Sequence, residues 1–254
     1  MSNEVTIWEP KEFKGSDLLP VQVASQAALV ANIPVVGRES TDESDIRMPN
    51  LKLLQGMSDE VTQGLDGAQP GKFFLSSTKE VIDGPLRVLI ISHSKSNVMY
   101  PKDNDPRYFG KEKCISKDGV EGTVYGFCDE CKLHKKWDGR QPPLCAESHN
   151  FTVLTPQGPA VIRFKRTNYP AARDFVSNWR LSNKNLWHHP VEIRVLSDTK
   201  DLGGKKTTFY YMKMQWLVAQ EIPIEVHKKA YETWQRFENA AGEGRLKMDE
   251  DGDE

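Results

Sequence analysis

The stretch NFTVLTPQGPAVIRFKR, residues 150–166, decides the fold class of this 254-residue chain. It predicts two strands joined by a turn at QGP, since glycine and proline interrupt two runs rich in β-branched and aromatic residues. The two-residue period of a strand places Ile162 and Phe164 on one face and Arg163 and Lys165 on the other. We therefore expect a hairpin with one face in the core and a cationic opposite face.

Further strand patterns extend this hairpin into a sheet. The run LRVLIISH, residues 86–93, is almost entirely apolar and predicts a central strand buried on both faces. Residues 168–185 have the apolar spacing of a helix, and two more strands, HPVEIRVLS and TTFYYMKMQWLV, come after them. Strand, strand, strand, helix, strand, strand is the order of a small barrel of the OB type. The sequence predicts a mainly β fold with a few helices (α+β): an OB-like Greek-key barrel with an inserted zinc-ribbon-like excursion and a C-terminal helix.

Every cysteine of the chain falls in one short window: Cys114, Cys128, Cys131 and Cys145. The central Cys-x-x-Cys of GFCDEC lets two thiolates bind one metal ion from a tight turn, and the flanking cysteines complete a tetrahedral site. We predict one structural zinc ion with these four ligands. Two disulfides or a redox dithiol are the alternatives, but the first residues lack a signal-peptide pattern, and glycine, proline and charge surround the motif. Whether His134 or His149 replaces one cysteine stays open.

The segmentation of the chain follows from shifts in composition. We expect an N-terminal arm and linker (1–45), an OB-like core (46–220) with a zinc-binding insertion (95–149), a C-terminal helix (221–242) and a disordered acidic tail (243–254). The arm packs on the core or reaches a neighbouring subunit. The tail is either a solubilising end or a partner-binding segment, and its candidate binding residues are Asp249, Glu250, Asp251, Asp253 and Glu254. The uncharged stretch 21–37 is too short and too interrupted to span a membrane.

Positive charge is concentrated in one part of a chain whose net charge is −2. Residues 161–216 hold eleven cations against four carboxylates, with aromatic residues interleaved. Single-stranded nucleic acid is bound by this mixture, because cations contact phosphates and rings stack on bases. An ordinary solvated surface is the alternative. We predict that the binding residues share one concave side of the barrel, and the candidates are Arg163, Lys165, Arg166, Tyr169, Arg173, Arg180, Lys184, Trp187, Arg194, Lys205, Lys206, Phe209, Tyr211 and Lys213.

The sequence shows no combination of residues that is typical of a catalytic site. His188 and His189 stand beside Trp187 without a nearby carboxylate cluster, and the chain has no glycine-rich phosphate loop and no nucleophile elbow. We therefore expect that the protein is not an enzyme.

The cysteine window, the strands from 72 to 218 and the terminal MDEDGDE together resemble the single-stranded-DNA-binding, helix-destabilising proteins of tailed phages. The T-even proteins of this family combine an OB-like fold, an inserted zinc subdomain and an acidic C-terminal tail, and they use one histidine and three cysteines. The resemblance implies sequence-independent binding and protection of single-stranded DNA in replication or recombination, in the cytoplasm of a host cell, with the tail recruiting partner proteins. A transcription cofactor that recruits an RNA polymerase to melted promoters and a structural protein-interaction module are the alternatives. Self-association is left open, and no membrane contact is expected.

Overall fold

A computed structural model describes residues 47–101, 105–134, 143–182, 185–186, 189–202, 204–217, 224–242 and 247–248. The strands are β1 (Arg47–Met48), β2 (Asn50–Leu53), β3 (Phe73–Leu75), β4 (Glu80–Ile82), β5 (Leu86–Met99), β6 (Cys114–Ser116), β7 (Glu121–Gly122), β8 (Gly126–Phe127), β9 (Ala146–Thr155), β10 (Gly158–Lys165), β11 (Pro190–Leu202), β12 (Lys205–Trp216) and β13 (Lys247–Met248). The α-helices are α1 (Asp59–Thr62), α2 (Tyr169–Ser182) and α3 (Ile224–Gly242). Short 3-10 turns occupy Pro106–Tyr108, Lys132–His134 and Arg166–Asn168. The predicted arm, 1–45, lies outside the described residues.

One nine-stranded sheet carries the fold. Its order is β12-β11-β5-β9-β10-β2-β3-β4, and β6 pairs with β5 as a side branch. The β10–β2 pair is parallel, and the other pairs of this sheet are antiparallel. The hairpin predicted from residues 150–166 is β9–β10, with Gly158 opposite Thr155 at its turn.

The sheet curls into a half-barrel around one apolar core. Residues from strands near both of its ends lie in the same buried cluster, including Phe73 of β3 and Met212 of β12. The side chain of Gln55 joins these ends: its Oε1 accepts from the Tyr210 N–H at 3.0 Å, and its Nε2 donates to the Tyr210 carbonyl at 2.8 Å. Gly71 also lies at this seam, where a Cβ would come within 2.8 Å of the Tyr210 ring. The predicted α+β, OB-like fold class is confirmed.

Strand β5 is buried on both faces, as its apolar run predicts. Val88 and Ile90 point into the barrel core, and Leu89 and Ile91 point to the outside. Helix α3 covers the outer pair, because the helical spacing of its apolar residues brings Val226, Ala230 and Trp234 onto one face. The C-terminal helix therefore packs on the outer surface of the sheet.

Helix α2 packs against the inner side of the barrel. Ala172, Phe175 and Val176 are buried in the main core, and Trp179 is partly buried against it. These four positions are the i, i+3, i+4 and i+7 set of one helix face. The opposite face of α2 is left to solvent, where Arg173 and Arg180 are exposed.

Strands β5 and β9 run beyond the barrel and carry a second small unit. A bulge between Ile90 and Ser92 shifts the register of β5 against β9, which lets the ribbon bend. We call residues 105–134 and 143–145 the cysteine module. Its small core holds Met99, Tyr108 and Cys145, and the two-stranded β7–β8 sheet lies within it.

The two ends of the described chain meet. Arg47–Met48 pairs in parallel with Lys247–Met248, so these two residues of the segment predicted to be a disordered tail form a strand. Residues 249–254 lie outside the described part of the chain. Among the described residues, no helix is long and apolar enough to cross a membrane.

Candidate nucleic-acid interface and metal centre

The β11–β12 hairpin carries aromatic and cationic side chains on the face turned away from the core. Ile193 and Met212 of the two strands are buried inside the barrel, and the alternating residues face outward. Three cross-strand pairs define this outward face: Arg194 with Lys213, Leu196 with Tyr211, and Asp198 with Phe209. We call Arg194, Leu196, Lys200, Phe209, Tyr211 and Lys213 the outer strip.

The rings of the outer strip lie at a spacing that suits base stacking. The ring centroids of Phe209 and Tyr211 are 6.3 Å apart and their planes are inclined by 36°. The ammonium of Lys200 sits 5.1 Å from the Phe209 centroid, a cation–π contact. Because the two rings are offset rather than stacked face to face on each other, each keeps ring surface for a partner. The arrangement can bind a flat aromatic group beside an anionic one.

Strand β10 adds two cations to the outside of the same barrel. Arg163 and Lys165 alternate with the buried Ile162 and Phe164, as predicted. The 3-10 turn that follows Lys165 packs against β12, and within it Asn168 Oδ1 accepts from the Met212 N–H at 2.6 Å. Closure of the barrel therefore brings the end of β10 beside the outer strip, although the two strands lie four places apart in the sheet.

The sequence prediction of one concave binding side is corrected by this geometry. The concave side of the curled sheet is filled by the core, so the cations of the strands lie on the convex side. Tyr169, Arg173 and Arg180 are on α2, which packs against the inner side. Tyr169 is engaged there, because burial and a hydrogen bond to Glu147 raise its pKa to about 12. The predicted set thus divides between the outer strand surface and the helix.

The other predicted binding residues lie away from the outer strip or in parts of the chain that the structure does not describe. Lys206 lies opposite Asp201 in the register of the two strands. Strand alternation puts the Lys206 side chain on the hairpin face opposite Lys213. Arg166 is exposed in its 3-10 turn and has a positive φ of 51°. Outside the residues, or the side chains, that the structure describes are Lys184, Trp187, Lys205, Asp249, Glu250, Asp251, Asp253 and Glu254.

A buried carboxylate beneath the outer strip was missed by the sequence prediction. Glu192 is 1 % exposed and accepts a hydrogen bond from Arg194 Nε. Its second oxygen lies 3.6 Å from Arg87 Nε. A buried charge persists only when it is paired, so Glu192 positions both arginines at this end of the strip. The sequence pattern that could have revealed this contact is VEIRV, in which Glu192 and Arg194 are two residues apart and therefore lie on one face of the strand.

The four cysteines line a single cavity in the cysteine module. They come from β6 (Cys114), the turn after β8 (Cys128 and Cys131) and the residue before β9 (Cys145). The Cys131 N–H donates to the Cys128 carbonyl at 3.2 Å, which closes the predicted turn. The cavity volume is about 10 Å³, enough for one water-sized species but not for an organic substrate.

Two polar atoms in the wall of this cavity lack partners. His134 Nδ1 and Asn97 Oδ1 are buried without a hydrogen bond, and Asn97 is 3 % exposed. Burial and the three neighbouring thiols raise the pKa of Cys145 to about 12, so its thiolate requires a nearby cation. A Cβ on Gly122 would lie 2.7 Å from Cys114 Sγ, which leaves glycine as the fitting residue there. The donors suit a soft cation such as zinc.

The metal itself stays a prediction. In the described part of the chain, no group of three or more His, Cys, Asp or Glu side chains forms a ready-made metal site. The structure nonetheless separates the two histidines that the sequence left open. His134 lines the cysteine cavity, whereas His149 does not.

His149, which is buried, instead pairs with the partly buried His93. His93 Nε2 lies 2.8 Å from His149 Nδ1, and the ring centroids are 5.1 Å apart. Burial is the main cause that lowers the pKa of each imidazole to about 4, and the charge of the other histidine adds to it for His93. Both rings are therefore neutral at pH 7, and one donates a hydrogen bond to the other.

Comparison with known proteins relates the chain to a phage protein family. A family model described as Pam3 phage gp34-like protein matches residues 22–247 of the chain. No curated protein and no solved structure shows significant similarity to it.

Proposed function

The chain belongs to the family of Pam3 phage gp34-like proteins, and for this phage protein we propose sequence-independent binding of single-stranded DNA along the outer strip. The observation that carries the proposal is the pair of outward rings, Phe209 and Tyr211, flanked by Lys200 and by the Arg194–Lys213 pair. Base–aromatic stacking contributes about 1 to about 3 kcal/mol per base without depending on which base it is. Single strands expose base faces that a duplex hides, so the strip favours single strands.

Cations of the outer strip supply the contacts to phosphate. Lys200 and Lys213 lie on the same face as the rings, and the 3-10 turn after Lys165 packs against β12 across the seam. Neutralising a phosphate on a single strand releases counterions, which lowers the slope of log K against log salt by about 0.7 per contact. The proposal thus includes affinity that falls with salt.

The cysteine module contributes structure to this proposal. We assign one zinc ion to Cys114, Cys128, Cys131 and Cys145, with His134, whose Nδ1 has no hydrogen bond, as a further donor in the cavity wall. A closed set of thiolates supplies no catalytic position, and a structural zinc ion contributes directly to folding. The residues would hold the module against the end of the β5–β9 ribbon.

The remaining parts of the proposal concern partners and location. The acidic residues 249–254 would compete weakly with DNA for the cationic surface and, once displaced, contact replication, recombination or transcription proteins. The host cytoplasm would be the site of action. The proposal includes no catalytic step.

The test compares one labelled sequence as single-stranded DNA, as duplex DNA and as RNA by fluorescence anisotropy at fixed salt. We expect the single-stranded form to bind tighter than the duplex by about tenfold or more, which is 1.4 kcal/mol or about one stacked base. Oligo-dT and a mixed sequence should bind with similar affinity. Equal binding of duplex and single strand would contradict the proposal.

A protein-interaction module is the second candidate, and one observation favours it. The β7–β8 hairpin exposes Val124 and Phe127, at 43 % and 56 % exposure, next to carboxylates that repel nucleic acid. In that case the outer strip contacts protein, and the anisotropy experiment shows no DNA binding.

A further inference from the structure

The cysteine module carries an exposed surface that the proposed function does not use. We call residues 118–130 the acidic hairpin. This segment has four carboxylates and no lysine, arginine or histidine. It also exposes four large apolar side chains, Val120, Val124, Tyr125 and Phe127, by between 36 % and 57 %. A cluster of exposed apolar residues with one sign of charge marks an interaction surface.

The acidic hairpin is held rigidly. Asp118 Oδ1 accepts the N–H groups of Val120 at 2.8 Å and Glu121 at 3.3 Å, and it also accepts the Ser116 hydroxyl at 3.0 Å. The Tyr125 hydroxyl accepts the Glu112 N–H at 2.9 Å. A surface with this much backbone fixed loses little entropy when it binds a partner.

The fold itself directs the ring of Phe127 outward. Gly122 lies against Cys114 on the cavity side of the hairpin, so no side chain can be buried there. Glu121 is paired with Phe127, and strand alternation puts both on the side away from the cavity. The exposed face therefore combines an aromatic ring with a carboxylate, and Asp129 and Glu130 follow directly.

Charge decides what this face can bind. Glu121, Asp129 and Glu130 are exposed, and no described residue forms an ion pair with them. Nucleic acid is repelled by them, so the complementary surface is cationic and apolar. The outer strip of the same protein has that composition: Leu196 is 37 % exposed and Phe209 is partly exposed, beside Lys200 and Lys213, with Asp198 as the one exposed carboxylate on this face of the described hairpin.

We propose that the acidic hairpin of one copy docks on the outer strip of a second copy. The two surfaces are different, so the contact is heterologous and joins copies head to tail. It does not depend on the proposed function. Because the strip is also the surface assigned to single-stranded DNA, DNA and the second copy compete for it.

Sedimentation velocity of the full chain tests the contact. We expect the average mass to rise with protein concentration. The dissociation constant should increase about fivefold or more between about 0.05 M and about 0.5 M salt, because added salt screens the attraction between the charged surfaces. A protein that stays monomeric at its highest soluble concentration in low salt overturns the proposal.

Two complementary variants make the test specific. The hairpin variant, Glu121→Lys with Phe127→Ser, and the strip variant, Tyr211→Ala with Lys213→Glu, should each be monomeric. An equimolar mixture should form dimers and nothing larger, because only the intact hairpin of the strip variant and the intact strip of the hairpin variant remain. Absence of dimers in the mixture overturns the head-to-tail contact.

A matched control uses an exposed aromatic and a carboxylate outside the acidic hairpin. Phe109→Ser with Glu112→Lys changes the same residue types in the same module, and Phe109 is 66 % exposed. This variant should assemble like the wild type, and its failure to assemble would refute the assignment to the acidic hairpin. Thermal unfolding checks that all variants are folded.

Addition of oligo-dT separates this proposal from the previous one. If the oligonucleotide binds, it should dissociate the copies, and copies that stay joined on bound DNA would overturn the shared strip. If it does not bind, the DNA-binding proposal fails, while the mixture of variants still decides the contact between copies.

Discussion

Removal of the Tyr211 ring is the perturbation with the most direct consequence for DNA binding. The side chain points away from the core, is partly exposed, and lies 6.3 Å from the Phe209 ring. The neighbouring Met212 is 2 % exposed and remains in the core, so Tyr211→Ala leaves the strand pairing intact. The change therefore removes a stacking platform and little of the fold.

The expected magnitude follows from one lost stacking contact. Base–aromatic stacking is worth about 1 to about 3 kcal/mol, which corresponds to a loss of affinity between about 5-fold and about 150-fold. The loss of packing at a partly exposed site should lower stability by about 1 kcal/mol or less. For a chain of this size that shifts the midpoint of thermal unfolding by about 2 to about 4 °C.

Fluorescence anisotropy with labelled oligo-dT at one fixed salt concentration measures this effect. The control is Phe109→Ala, which removes an exposed ring from the cysteine module. We expect the control to bind like the wild type. If Tyr211→Ala binds within about twofold of the wild type, or if both variants lose the same affinity, the outer strip is not the stacking site.

Three further predictions concern the metal, the tail and the paired histidines. Metal analysis should find one zinc ion per chain, and Cys131→Ser should lose it together with thermal stability, whereas a metal-free wild type of equal stability would contradict the assignment. Deletion of 249–254 should tighten binding of oligo-dT at low salt and have no effect at high salt, and weaker binding would exclude a competing tail. The pKa of His93 and His149 is about 4 when folded and 6.5 when unfolded, so the unfolded chain binds more protons between these values. Stability should therefore fall by about 2 kcal/mol per histidine, about 4 kcal/mol at most for the two, as the pH drops from 7 to 5, measured by urea unfolding, and a His93→Gln, His149→Gln variant should flatten this dependence.

Residue patterns along single strands were sufficient to predict which side chains face the core. The alternation of Arg163 with Phe164, and of Tyr211 with Met212, follows from the two-residue period of any strand and needs no tertiary information. The apolar run at 86–93 predicted a strand buried on both faces because both alternating sets of its residues are apolar. The four cysteines were recognisable because metal ligands recur at short, fixed spacings.

Only the tertiary structure decided which of these elements are neighbours. No local pattern in the sequence reports that Gln55 and Asn168 close the barrel on β12, or that α2 carries Arg173 to a different surface from Lys213. Such contacts depend on pairing between residues far apart in the chain, and many arrangements satisfy the same alternation.

The two histidines and the buried carboxylate show the same division. The sequence by itself determined that His134 and His149 were the histidines nearest the cysteines, but strand β9 carries His149 away from the cavity to His93. Glu192 looked like an ordinary surface residue until packing buried it between two arginines. Residue identity sets the chemistry that a side chain can perform, and packing sets its solvent exposure and partners, which decide the chemistry it performs.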